Sequence, residues 1–282
     1  LLATLLAVGT ALEACTNLLV TKGASKDGST MITYSADSHT LYGELYFKQG
    51  GKHQPGTFRD IVEWDTGKPL GRIPEAPVTY TQLVIAETTF GGRKDLAGPS
   101  GIIDYGSLIY IALERAKTAR EAIDVMTRLT EEFGYASTGE SFSIADPNEV
   151  WILEMIGRGK GQKGALWVAY KLPDGTISAH ANQARIRQFP QNDPKNALFS
   201  KDLISFAREK GWFKGEDTAF SFADTYAPLT FGALRGCEAR VWSIFNRAAK
   251  SQKISMDFVK AEKGAKPMPL FVTPDQKLGV HD

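Results

Sequence analysis

Two amphipathic helices set between runs of β-prone sequence limit the architectures open to this chain. Asp104–Lys117 carries Leu108, Ile111, Ala112 and Arg115 along one helical face, with Asp104 placed to cap it. Ala119–Phe133 repeats the pattern with Ala122, Ile123, Met126, Leu129 and Phe133, and Gly134 follows as a stop. Upstream, Leu18–Val20, Met31–Tyr34, Leu41–Lys48, Asp60–Trp64 and Val78–Glu87 are strand candidates. Downstream, Ser141–Ala145 and Val150–Ile156 flank Asp146-Pro-Asn-Glu149, and Leu166–Lys171 and Ile177–Ala181 flank Pro173-Asp-Gly175. Both are hairpin patterns. Helices return at Phe199–Lys210, Thr218–Tyr226 and Arg235–Ala249. This order predicts an α+β protein, sheets covered by helix layers.

Composition removes several function classes. With 282 residues the chain buries a substantial core, in one large domain or two small ones. Its net charge of +1 gives no nucleic-acid footprint. No stretch approaches the ~20 apolar residues of a membrane span. Two cysteines, Cys15 and Cys237, make no disulfide framework, and His39, His53, His180 and His281 lack metal-ligand spacing. Neither a metal nor another cofactor is expected. Gly157-Arg-Gly-Lys-Gly-Gln-Lys-Gly164 resembles a phosphate loop, but Ala165 and a β-prone run follow it where a helix is required. It reads as a solvated hairpin loop. The segment Lys260–Asp282 is polar and Pro-rich and reads as cut in mid-sequence.

The first cysteine has an unusual setting. Residues 1–14 are apolar, end in the small residue Ala14, and read as a leader removed on export to the periplasm or medium. A buried first strand or helix is the structural alternative. Leu12-Glu-Ala-Cys15 also resembles the box before a lipid-modified cysteine, with Glu13 out of pattern. A cut after Ala14 would give Cys15 a thiol and a free α-amine at once. The amine titrates near ~8 and the thiol near ~8.5, so one residue can supply both nucleophile and base. That chemistry is acyl transfer from an amide to water through a thioester. It still needs a group to orient the amine and donors for the oxyanion. Asp37, which follows the second strand, suits the first role, although turn aspartates are common there. Asn182, at the end of a strand, suits the second, although it also fits a capping residue.

The residues around Cys15 resemble the opening of a known family. Ala14-Cys-Thr-Asn-Leu-Leu-Val-Thr-Lys-Gly-Ala-Ser-Lys-Asp-Gly-Ser-Thr-Met-Ile32, followed by Asp37-Ser-His39, is similar to the start of the dipeptidase A/secernin family. These are cysteine hydrolases of the N-terminal-nucleophile superfamily, related more distantly to bile salt hydrolase and penicillin V acylase. Further matching runs are Glu87-Thr-Thr-Phe-Gly91, Gly139 to Pro147, Trp151 to Gly157, and His180-Ala-Asn-Gln-Ala-Arg-Ile186. The resemblance covers residues 15–282 and implies a single four-layer αββα sandwich, truncated at its C-terminus, that hydrolyses dipeptides. It puts the nucleophile on Cys15, the catalytic aspartate on Asp37 and the oxyanion asparagine on Asn182. The second oxyanion donor, a backbone N–H, falls near Thr89. The late arginine falls on Arg240, with Arg235 and Arg247 close by. Relatives often carry arginine, set against the nucleophile's sulfur, where this chain has Tyr34, so either the thiolate is stabilised differently, or substrate contacts shift to Tyr34, or Tyr34 packs in the sheet. An amidase acting on N-acyl substrates and a lipoprotein anchored through Cys15 remain open alternatives. The oligomeric state, a homo-oligomer included, is open too.

Overall fold

The computed structural model describes residues 14–38, 43–45, 47–97 and 101–282. Its strands form two main antiparallel sheets. Ala14–Val20 (β1) and Met31–Asp37 (β2) make the first hairpin. Phe58–Val62 (β3) and Pro69–Pro74 (β4) form a separate ribbon. Val84–Gly91 (β5) leads to the helices Tyr105–Arg115 (α1) and Ala119–Phe133 (α2). Gly139–Ala145 (β6), Val150–Gly157 (β7), Ala165–Lys171 (β8), Ile177–His180 (β9) and Ala197–Phe199 (β10) follow. Leu203–Glu209 (α3), Phe222–Tyr226 (α4), the single turn Phe231–Ala233 (α5) and Ala239–Ala248 (α6) precede the short Phe271–Val272 (β11). One sheet has the order β11-β9-β1-β2, the other β10-β8-β7-β6-β5.

Strand periodicity explains how these sheets pack. Successive side chains alternate between faces, so Trp151, Leu153 and Met155 of β7 join Ile111, Ala112, Ile123 and Met126 of α1 and α2 in one core. Val150, Ile152 and Ile156 face the other way, into a core shared with Leu19 of β1 and with α3 and α4. On the first sheet, Val20, Ile177 and Ala179 turn to Val241 and Phe245 of α6. Asp104 caps α1 as its sequence position predicts, accepting from Ser107 N at 3.0 Å, and its other oxygen accepts from Trp64 N at 2.7 Å. Gly134 ends α2 at φ 76°, a conformation that favours glycine.

Some expected elements differ. The strand expected over Val78–Glu87 begins only at Val84, because the upstream residues serve the C-terminus of α1: Thr79 N donates to Glu114 O at 2.8 Å. β4 lies in what reads as a connection, with prolines only at its ends, where a ladder donor is not needed. The helix expected over Phe199–Lys210 is shortened to α3, and Phe199 closes β10. Leu41–Lys48 falls partly outside the described residues, and its described residues are not in a strand. Residues 1–13 and His39 also lie outside them. Among the described residues no helix is long and apolar enough to cross a membrane, and no cluster of three or more His, Cys, Asp or Glu could hold a metal.

A buried polar seam joins the sheets. Asn17 Nδ2 donates to Ser143 Oγ at 3.1 Å, and the imidazole of His180 lies 2.7 Å from both Ser143 Oγ and Thr88 Oγ1. Ser143 accepts from Asn17 and can give its own hydrogen to His180 Nε2, an arrangement in which Nδ1–H donates to Thr88. This is a neutral imidazole. Burial first, and then the charge of Arg185, push its pKa from 6.5 down to about 3. Between those values the unfolded chain binds a proton that the folded chain does not, so His180 makes stability fall as pH is lowered from 6.5 to 3. At ~1.4 kcal/mol per unit the loss reaches roughly 4–5 kcal/mol. Glu154, which burial raises to about 7, acts in the opposite sense below pH 7. The comparison with His180→Gln isolates the histidine. In urea unfolding the wild-type advantage over this variant should shrink steadily from pH 7 to pH 4, and parallel pH profiles would remove the neutral-histidine assignment.

Candidate active site

The register of the first hairpin aims Cys15. Cys15 lies opposite Ala36, Asn17 opposite Tyr34, and Leu19 opposite Ile32, so these side chains share the face directed toward the second sheet. The half-buried Cys15 opens into a cavity of about 1070 Å³ walled by β2, β5 and α1. Both Cys15 and Cys237 are free thiols.

Asn182 brings three segments together at Cys15. It follows β9 in a left-handed conformation, φ 59°, which asparagine tolerates better than most residues. Its Oδ1 accepts from Cys15 N at 2.7 Å and from Arg240 Nη2 at 2.9 Å, while Nδ2 donates to Thr89 O at 2.8 Å. Two N–H donors on one side and a carbonyl on the other assign the amide orientation. Thr89 sits where the β5–β6 ladder breaks register, just before Gly91 at φ 71°.

Arg240 braces the same point from the far side of the first sheet. The helix expected over Arg235–Ala249 begins as a π-turn, Leu234–Glu238, and becomes α-helical at Ala239. Arg240 then donates to Cys15 O at 2.6 Å, Thr16 Oγ1 at 2.8 Å and Ala181 O at 3.1 Å, besides Asn182. Its Nε returns to Gly236 O at 2.7 Å. Arg235 and Arg247 are exposed, and Arg235 lies over the Phe231 ring.

Tyr34 and Asp37 take different positions. Tyr34 Oη lies 3.9 Å from Cys15 Sγ and donates to Glu87 Oε1 at 2.8 Å. Asp37 pairs with Ala14 rather than with Cys15, so alternation turns its side chain to the other face, where it accepts from Ser35 Oγ at 3.3 Å. It still lines the cavity. The Cys15 nitrogen therefore donates to Asn182 and not to Asp37.

Sequence reasoning passed over two acids here. Glu87 lies within a family-like run on β5, and Glu140, which accepts from Thr89 Oγ1 at 2.9 Å, sits diagonally from it on β6. Both are buried, and burial raises both carboxyls, with the charge of Glu87 raising Glu140 further. Lone glutamates inside strand-forming runs were the available signal. Their pairing depends on register. Burial, then the Glu87 charge, push the Cys15 thiol up to about 11 against the lowering effect of the Tyr34 hydrogen bond. With Ala14 still attached, Cys15 is a protonated thiol at neutral pH.

Comparison with known proteins gives consistent matches. The model of the family described as Peptidase family C69 matches residues 14–89 and 76–282. The chain is 26% identical to a probable dipeptidase of Salmonella dublin, over 98% of this chain and 66% of that protein. It is 25% identical to a probable dipeptidase of Latilactobacillus sakei, over 96% of this chain and 59% of the relative. To a probable dipeptidase A of Streptococcus pyogenes serotype M3 it is 28% identical, over 68% of this chain and 45% of the relative. The chain thus spans between 45% and 66% of the length of these curated relatives.

Proposed function

The chain belongs to peptidase family C69, and from that premise we propose an exported cysteine dipeptidase whose nucleophile is Cys15. Removal of residues 1–14 leaves Cys15 with a free α-amine beside its thiol. The observation that carries this reading is the hydrogen bond of 2.7 Å from Cys15 N to Asn182 Oδ1, next to a half-buried Sγ at the cavity. Burial and the Glu87 charge hold the Cys15 thiol up, so a base is required. The α-amine, titrating near ~8, takes the proton as Sγ attacks the peptide carbonyl. The amine then returns that proton to the leaving amino group, and water hydrolyses the thioester.

Asn182 supports the tetrahedral oxyanion. One of its Nδ2 hydrogens is given to Thr89 O, and the second is directed to the oxyanion, with a backbone N–H near Thr89 as the companion donor. Arg240 holds Asn182 Oδ1 and the Cys15 carbonyl in place. Asp37, at the end of β2, orients the freed amine after the cut. The packing of α1 and α2, the two sheets and α6 supports an αββα sandwich. A cavity of about 1070 Å³ would also admit bulkier N-acyl amides, which keeps an amidase as the second reading.

Mass spectrometry of the mature N-terminus, paired with turnover of dipeptides and N-acyl amides, tests the assignment. The expected result is an unmodified Cys15 at the N-terminus and faster turnover of dipeptides. Lipid on Cys15 without hydrolysis would replace the proposal with an anchored binding protein, and a preference for N-acyl amides would move it to the amidase.

A further inference from the structure

The buried carboxylates of this protein follow a pattern that Glu87 and Glu140 break. Glu114 is met by Lys48 and Arg59, and Glu238 by Arg185. Glu154 accepts from the backbone N–H groups of Arg185 and Ile186, Asp104 from those of Ser107 and Trp64, and Asp146 from Ala119, Asn148 and Glu149. Each has a cation or backbone donors. Glu87 and Glu140 receive hydroxyls, from Tyr34 and Thr89 respectively, and otherwise only each other, through a proton held between the two carboxyls; neither meets a cation or a backbone N–H among the described residues. Two neighbouring buried carboxyls do not both ionise, so the pair keeps at least one proton, and any charge that it carries has no counter-ion. A buried charge without a counter-ion is costly. Glu87 is 5% exposed yet lines the cavity, whereas Glu140 lies behind it.

From this uncompensated charge, resting on Cys15 as the point of attack, we propose that Glu87 and Tyr34 form the subsite that holds the α-ammonium group of the substrate. Chain geometry supplies the reach. The amine of an N-terminal residue lies about 2.5 Å from its own carbonyl carbon, which attack brings within about 3–3.5 Å of Sγ. The Tyr34 hydroxyl, 3.9 Å from Sγ, falls in the shell that the ammonium must occupy, and the Glu87 carboxylate is 2.8 Å behind it. The ammonium donates to the phenol oxygen and to the carboxylate, and Glu140 holds the proton that sets their shared charge. An N-acylated substrate has no cation to offer and would leave Glu87 uncompensated. Selection for a free amino terminus, the property that separates a dipeptidase from an amidase, then resides in Glu87. Binding also offsets the negative charge that holds the Cys15 thiol up, so the correct substrate eases ionisation of its own nucleophile.

The test reads binding, so it stands apart from whether the chain hydrolyses anything. In the full chain carrying Cys15→Ser, calorimetry compares L-leucyl-L-alanine with N-acetyl-L-leucyl-L-alanine. The free dipeptide should bind at least tenfold more tightly, and Glu87→Gln should reduce that preference to less than twofold. Tyr34→Phe, at a half-exposed residue, should lose part of the same preference and gives a second readout if the glutamate variant folds poorly. A free dipeptide that binds no better than its acetylated form, or a preference that survives in folded Glu87→Gln, would overturn the subsite. Absence of dipeptide turnover by the wild-type protein would instead sink the proposed activity.

Discussion

Replacing Cys15 by serine should lower dipeptide turnover by at least ~10⁴-fold while leaving the fold intact. The two effects separate because the thiol makes little of the structure. Cys15 is half-buried at the end of β1, and the contacts that fix the strand come from its backbone: N–H to Asn182 and C=O to Arg240. A serine keeps both and is slightly smaller. Chemically the change is severe. An α-amine titrating near ~8 can take a proton from this thiol at a cost of about 4 kcal/mol, but a hydroxyl holds its proton far more tightly. Thermal unfolding within a degree or two of wild type, together with turnover at the detection limit, is the expected pair of results. A processed Cys15→Ser or Cys15→Ala protein with full activity would show that the sulfur has no part in the reaction.

The second large effect is expected at Arg240. Arg240→Ala leaves Cys15 O, Thr16 Oγ1, Ala181 O and Asn182 Oδ1 without their common donor. Acceptors stripped of a partner in a partly buried setting cost about 1–3 kcal/mol each before water and relaxation recover some of it, so a net loss of about 3 kcal/mol is expected. Activity should fall further than stability alone requires. Asn182 is held by Arg240 on one oxygen lone pair and by Cys15 N on the other, and a displacement near 1 Å of such a group costs ~10²-fold in rate. A kcat reduced ~10²–10³-fold in protein that still unfolds cooperatively is therefore expected. Arg240→Lys keeps the charge but cannot span four acceptors with one ammonium, so it should rescue stability more than kcat. Turnover within threefold of wild type in folded Arg240→Ala would remove Arg240 from the catalytic arrangement.

Much of the frame was legible in residue order because it rests on local periodicity. Leu108, Ile111 and Ala112 fall on one helical face, and in the fold all three enter the core with β7. The turn Asp146-Pro-Asn-Glu149 predicts the β6–β7 hairpin, and Asp146 accepts from the amides of Asn148 and Glu149 as such a turn requires. Short elements escaped this reading. β11 has two residues and β10 three, too few for any period to register, and both exist because a neighbouring strand offers an unpaired edge. Residues 78–83 look like a strand in composition, but Thr79 N donates to Glu114 O at the end of α1 and Val78 N to Gly51 O.

The site divides along the same line. The sequence alone singled out Cys15, through its position after an apolar stretch and before a strand, and resemblance attached Asp37, Asn182, Thr89, Tyr34 and Arg240 to it. Only the tertiary structure decided which of these touch. The β1–β2 register turns Tyr34 to the face of Cys15 and Asp37 to the other, a parity that a one-residue shift would reverse. Arg240, in the first turn of α6, reaches Cys15, whereas Arg235 lies over the Phe231 ring and Arg247 is exposed. Glu87 and Glu140 are 53 residues apart and become neighbours through the β5–β6 pairing, so their shared charge is written nowhere in either local run. The physical reason is the range of the forces involved. Periodicity and turn chemistry act over a few residues, whereas register, adjacency and the electrostatics of a buried pair are settled only when distant segments bury one another.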